Sequence, residues 1–238
     1  VANHIVESDN LNRFDPQALS NTLWAYAAQV PHPKLFEKLA NHIVESKSLD
    51  RFDQQAFSNI VWAYATAGVR HAKLFQKVAN HTVESKRFDQ FDPQALSNTV
   101  WAYAAAGINH PRLFEKVANH IVESDNLNRF DPQALSNTLW AYAAQVPHPK
   151  LFEKLANHIV ESKSLDRFDQ QAFSNIVWAY ATAGVRHAKL FQKVANHTVE
   201  SKRFDQFDPQ ALSNTVWAYA AAGINHPRLF EKVANHIV

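Results

Sequence analysis

The strongest constraint on this chain is that it repeats itself at two levels. The pattern FDxQAxSNxxWAYA begins at Phe14, Phe52, Phe91, Phe130, Phe168 and Phe207, at intervals of 38 or 39 residues. Above it lies a second period: residues 1–116 recur unchanged as 117–232, and Val233 to Val238 begin a third copy. A fixed period of this length marks a stack of supersecondary units in which each unit buries its apolar face against its neighbours. An identity of 116 residues fits recent duplication, deliberate concatenation or an averaged sequence, and these stay open.

Each unit reads as a helical hairpin. Asp15 precedes Pro16, which puts a side-chain acceptor at the N-cap and a proline at the first helical position, where its missing N–H is harmless. Phe14 before the cap and Leu19 four residues after it have the spacing of a hydrophobic staple, repeated by Phe52 and Phe57. This first helix, helix A, runs through Ala27. In the longer units it stops at Gly68 or Gly107, which suit a left-handed C′ position. The first and fourth units carry no such glycine and read Gln29-Val30-Pro31. His32-Pro33 then opens helix B, whose Phe36, Leu39, Ala40, Ile43 and Val44 form one apolar stripe. A polar connector, Ser46 to Asp50 with Leu49 as its anchor, leads to the next cap. The expected fold is all-α: an α-solenoid of six helical hairpins in a right-handed superhelix, a single array over residues 1–238.

Composition narrows the chemistry. A net charge of +2, from 24 Lys and Arg against 22 Asp and Glu, gives no overall field that draws the chain to phosphate or to an anionic surface, so any nucleic-acid site is local. The absence of Cys excludes disulfides, thiolate zinc sites and thiol nucleophiles. No apolar run approaches the roughly 20 residues of a membrane span, and no signal peptide is evident, so a soluble segment is expected. The chain starts with Val1 within a repeat, as a processed product or a fragment would. Its terminal half-helices share the sequence VANHIV and lack polar capping units, which favours head-to-tail self-association.

The segments LSNTLWAYA and HPKLFEKLANHIVE, with Pro16, Leu19, Leu23, Trp24, Ala25 and Ala27 recurring in small variations, resemble the octotricopeptide repeat family over essentially the whole chain. That resemblance implies helical hairpins of similar length and sequence-selective binding of single-stranded RNA in chloroplasts or mitochondria, in transcript stabilisation, processing or translation. Two features depart from the family: its units usually vary strongly, and many members end in an additional small C-terminal domain.

At 100° per residue Gln17, Asn21, Trp24 and Ala28 share one side of helix A, with Leu19, Thr22 and Tyr26 opposite. Stacking the A helices would align the amides of Gln17, Asn21, Gln55, Asn59, Gln94, Asn98, Gln133, Asn137, Gln171, Asn175, Gln210 and Asn214 in a ladder. Each amide can donate and accept at a base edge. An equally open reading has these amides bonded across adjacent units or to loop backbone. Because the ladder is the same in every unit, one base per unit predicts a homopolymer-like RNA or no base selectivity. Burial of Trp24 and its equivalents would contribute up to roughly 4–6 kcal/mol each, at about 25 cal/mol per Å², so they read first as packing residues.

Arg13, Lys47, Arg51, Lys86 and Arg87 in the connectors are candidate phosphate partners, mixed with Glu45 and Asp50, which favours a solvated loop. Lys34, Lys38, Lys73, Lys77, Arg112 and Lys116, interspersed with Glu37 and Glu115, read as the exposed face of helix B. His42 with Glu45 has a spacing that can ligate metal, but its recurrence in every unit argues for a structural role. A repeat multiplies residues along a surface where catalysis needs dissimilar groups converging in one pocket. No catalytic residue, metal or cofactor is expected, and the chain reads as a non-enzyme. The alternative to RNA binding is a protein-interaction or architectural scaffold that takes a peptide or protein partner.

Overall fold

The computed structural model describes residues 1–29 and 32–237; Val30 and Pro31 of the glycine-free turn lie outside them. Among the described residues there are thirteen α-helices and no strand. The A helices are α2 (Pro16–Ala28), α4 (Gln54–Thr66), α6 (Pro93–Ala105), α8 (Pro132–Ala144), α10 (Gln170–Thr182) and α12 (Pro209–Ala221). The B helices are α3 (Pro33–Glu45), α5 (Ala72–Glu84), α7 (Pro111–Glu123), α9 (Pro149–Glu161), α11 (Ala188–Glu200) and α13 (Pro227–Ile237), and α1 (Ala2–Glu7) is a shortened B helix ahead of them. The chain divides into two compact halves, Val1–Val117 and Ala118–Val238.

Within each half the helices form two layers. In the first half α2 packs on α4 and α4 on α6, while α1 packs on α3 and α3 on α5. In the second half α8, α10 and α12 follow one another in the same way, as do α9, α11 and α13. Like helices stacked in sequence order are the packing of an α-solenoid. The A layer approaches closely because alanines sit where its helices meet: Ala56, Ala63, Ala95 and Ala102 are buried. In the B layer, Leu35, Phe36, Leu39, Ala40 and Ile43 of α3 are buried as the apolar stripe requires, and Val44 lies half-buried at its edge.

The local devices that set these boundaries are the predicted ones. All six A helices start at an Asp that accepts a backbone N–H, as Asp53 does from Ala56 at 2.7 Å. The staple is visible in the stacked rings of Phe52 and Phe57, 5.3 Å apart, and of Phe168 and Phe173, 5.2 Å apart. Gly68 has φ +68°. Its N–H reaches Ala65 O, and the Val69 N–H returns to Tyr64 O at 2.8 Å, which together make a Schellman termination. Most connectors carry a single 3-10 turn, such as Leu11–Arg13 and Phe88–Gln90, held by one buried apolar side chain.

Successive repeats are tied by side chains reaching back to backbone. The Tyr64 hydroxyl, fully buried, donates to Phe36 O at 2.5 Å; Tyr103 does the same to Phe75 O, Tyr180 to Phe152 O and Tyr219 to Phe191 O. Burial pushes the pKa of each of these hydroxyls above its ordinary value.

Lysines add a second set of ties, and they correct the reading of helix B. Lys38 donates to Val6 O and Ser8 O, Lys77 to Val44 O and Ser46 O, Lys116 to Val83 O, Lys193 to Val160 O and Ser162 O, and Lys232 to Val199 O. These lysines are half-buried, because the last carbonyls of the preceding B helix lack intrahelical partners and carry the negative end of its dipole. Lys34 and Lys73, four residues earlier, are exposed as expected.

Candidate functional site

The wheel argument for helix A holds in the structure. Leu19, Tyr64 and Thr99 are buried on one side, while Gln17, Asn21, Gln55, Gln133, Gln171 and Gln210 are exposed on the other. Asn59, Gln94, Asn98, Asn137, Asn175 and Asn214 are partly exposed. The twelve sequence-predicted amides therefore face solvent along the A layer of each half. The positions that vary between units, Leu19/Phe57/Leu96 and Ile60/Thr99, are buried in the packing, although Ala28 and Thr66 stand exposed.

In four of the six repeats the two amides bond to each other within their own helix. Gln55 Nε2 donates to Asn59 Oδ1 at 3.0 Å, Gln94 to Asn98 at 3.1 Å, Gln171 to Asn175 at 2.9 Å and Gln210 to Asn214 at 3.1 Å. Each is an i, i+4 pair on one helix surface. The pair uses one Gln proton and one Asn lone pair, which leaves the Asn NH2 to donate and the Gln carbonyl to accept. Every such repeat thus presents one donor group and one acceptor group in fixed order. The second unit's Gln54 and its copy Gln170 are different: they face inward and donate to Thr99 and Thr215 of the next repeat, at 3.4 and 3.3 Å.

The tryptophans pack, as expected, but on one another and without full burial. Trp24 and Trp217 are 49% and 51% exposed, and the other four are partly exposed. They stack on one another along the amide face: Trp24 on Trp62 with centroids 5.7 Å apart and planes at 25°, Trp62 on Trp101 at 6.4 Å and 29°, and Trp140 on Trp178 at 6.3 Å and 23°. The cause is position. Trp24 follows Asn21 by three residues, so it points to the same side, and the Trp of the next A helix is placed to stack on its ring. The helical wheel already places Trp24 beside Gln17 and Asn21, against the general tendency of Trp to be buried.

The connector cations divide. All five are exposed, but Arg51 Nη1 donates to Asn12 O at 3.0 Å, which ties it to the preceding connector. Around Arg51 and its neighbours Lys86 and Arg87, the groove between the second and third connectors is also lined by Asp50, Asp53, Glu84 and Asp92. The mixture of charge read from sequence is thus retained in space.

The 13 histidines fall into two sets. Six are N-caps of B helices, a role the sequence did not suggest: Nδ1 of His32, His71, His110, His148, His187 and His226 accepts the N–H three residues on, at 3.1–3.2 Å. The seven in the last turn of each B helix include His81 and His197, whose rings lie 5.2 Å from Phe57 and Phe173, and His4, 5.8 Å from Phe14. Burial, and then the Arg51 guanidinium, hold the pKa of His42 below its ordinary value, while Glu45 pulls the other way. Among the described residues no group of three or more His, Cys, Asp or Glu side chains could hold a metal ion, and no helix is long and apolar enough to cross a membrane.

The model of the RNA-editing substrate-binding complex 6 protein family matches residues 2–145 and 44–238, two overlapping spans that together take in almost the whole chain. The chain belongs to this family. No curated relative matches it. The structure shows the helical array, and the family description names an RNA-editing substrate-binding complex.

Proposed function

We propose that this chain is a non-catalytic, single-stranded RNA-binding array that serves organellar RNA processing, and within that the handling of RNA-editing substrates in mitochondria. The observation that carries this reading is the solvent face of the A layer. Every repeat carries the same Gln and Asn there, four of the six pairs are bonded in the same order, and the indole rings beside them are partly or half exposed. Polar amides and aromatic rings are the groups that read and stack unpaired bases. Membership of a family described by RNA-editing substrate binding supports the same reading, as does the octotricopeptide likeness of the repeated motif.

The monotony of the face favours a uniform or repetitive strand over a unique sequence. The test is a binding screen of the full chain against the four RNA homopolymers at low salt, with Asn21, Asn59, Asn98, Asn137, Asn175 and Asn214 all changed to Ala in a second protein. One homopolymer is expected to bind the parent. The variant is expected to lose most of that affinity with its helical circular dichroism unchanged. Failure of every homopolymer to bind, with a protein partner co-purifying after nuclease treatment, would favour the scaffold reading instead.

A further inference from the structure

We propose that the six tryptophans are nucleobase-stacking sites, and that their spacing admits only a strand whose neighbouring bases are unstacked. The proposal rests on the RNA-binding reading above and adds to it the residues that hold the bases and the conformation of strand they accept.

The first argument is the uncovered ring surface. Two aromatic rings in full face-to-face contact would have their centroids at about the 3.4 Å separation of stacked bases. The observed rungs are 5.7, 6.4 and 6.3 Å apart with planes at 23–29°. At that distance neighbouring indoles are displaced sideways or separated, and in either case each leaves part of its π-face uncovered by the next. Half of Trp24 and of Trp217 is open to solvent. The other four indoles are partly exposed, and aromatic surface left open along a whole layer marks a place where something stacks.

The second argument is spacing. A base laid on every rung would have its neighbour about 6 Å away, nearly twice the roughly 3.4 Å rise of bases that remain stacked in a strand. A duplex or a self-stacked single strand therefore cannot follow the ladder, whereas an extended strand can. The Asn three residues before each Trp lies on the same helix surface, within about 5–6 Å between Cβ atoms, and so stands beside the edge of a base stacked on that ring. The geometry also disfavours the main competitor, a proline-rich peptide. Its polyproline helix advances about 3.1 Å per residue with three residues per turn, so equivalent faces recur at about 9.3 Å and not at the rung spacing.

The chain supplies its own probe, since all six of its tryptophans occupy this ladder position and indole emission reports on nothing else. The experiment titrates the full chain with single-stranded RNA homopolymers, a hairpin duplex of the same length and a proline-rich peptide, following fluorescence and mobility shift together. Trp62→Leu with Trp178→Leu, and Trp62→Tyr with Trp178→Tyr, are compared by the same assays and by thermal melting. Saturable quenching by single strands and not by duplex is expected. The Leu pair should weaken binding about tenfold or more, and the Tyr pair should restore most of it because stacking needs only a ring. Single-strand binding without quenching, and unchanged in the Leu pair, would overturn the stacking assignment and leave the RNA-binding reading intact. Equal quenching by duplex would overturn the claim about strand conformation. Quenching by the peptide with no RNA bound would overturn both and mark a peptide site, and no binding by any of these probes would overturn both as well.

Discussion

At the scale of single residues, His110 shows how one cap ring can serve two neighbours and acquire a pH dependence. His110 is 6% exposed; its Nδ1 accepts the Leu113 N–H, so the neutral ring carries its proton on Nε2 and gives it to Asn80 Oδ1 at 3.2 Å. Protonation would place a second N–H against that of Leu113. Burial also holds its pKa below the ordinary 6.5, with Arg112 acting in the same direction. His42 and His158 are lowered as well, burial being the first cause in both. For a base lowered on folding, the unfolded chain binds more protons between the two pKa values, so stability is complete above about 6.5 and is lost as pH falls below it. Urea midpoints are therefore expected to fall between pH 7.5 and pH 5. His110→Asn, which keeps a good N-cap acceptor and removes the titration, should flatten that fall. The inward side of helix A was legible in the sequence because period and residue type agree there. The histidine caps were not, because the preferred cap residues are Ser, Thr, Asp and Asn, and nothing in the residue type marks a ring nitrogen as the acceptor.

At the scale of the element, the boundaries follow from short-range chemistry, and so they could be read directly. Asp before helix A, Pro inside it and Gly after it each act within one turn. Gly68→Ala tests this: nothing lies within 4 Å of an added Cβ, so only the left-handed backbone opposes the change, at about 1–2 kcal/mol in chemical denaturation. The roles of Lys77 and Arg51 were not legible, because they depend on which backbone atoms the next repeat brings near, and a single helix does not state that. Lys77→Met keeps the packed stem and removes the two bonds to Val44 O and Ser46 O. It is expected to lower stability by about 1 kcal/mol, with a smaller effect in Lys73→Met, whose side chain is exposed. The tryptophan face was legible from the wheel alone, and its ladder follows once like helices are stacked in order.

At the scale of the whole molecule, charge and repetition set how the array meets a polyanion. The net charge is +2, five lysines among the described residues are bound to backbone carbonyls of the preceding repeat, and the other Lys and Arg number fewer than the 22 Asp and Glu, so the surface offers phosphate no net excess of free cations. The logarithm of the RNA affinity against that of salt concentration should therefore slope no more steeply than about −4, the value for six phosphates on a single strand. Titrations between low and physiological salt check this, and a steeper slope would mean a basic path away from the A layer.

The backward direction of the tyrosine and lysine bonds bears on synthesis. Tyr64 and Lys77 complete the repeat before their own, as do Tyr103 and Lys116. A nascent array leaving the ribosome therefore carries its newest hairpin unlatched until the following one emerges. With 38 or 39 residues still to be added at 5–20 per second, that interval is about 2–8 s. During it, a chaperone or the RNA itself would meet one soft hairpin at the growing end.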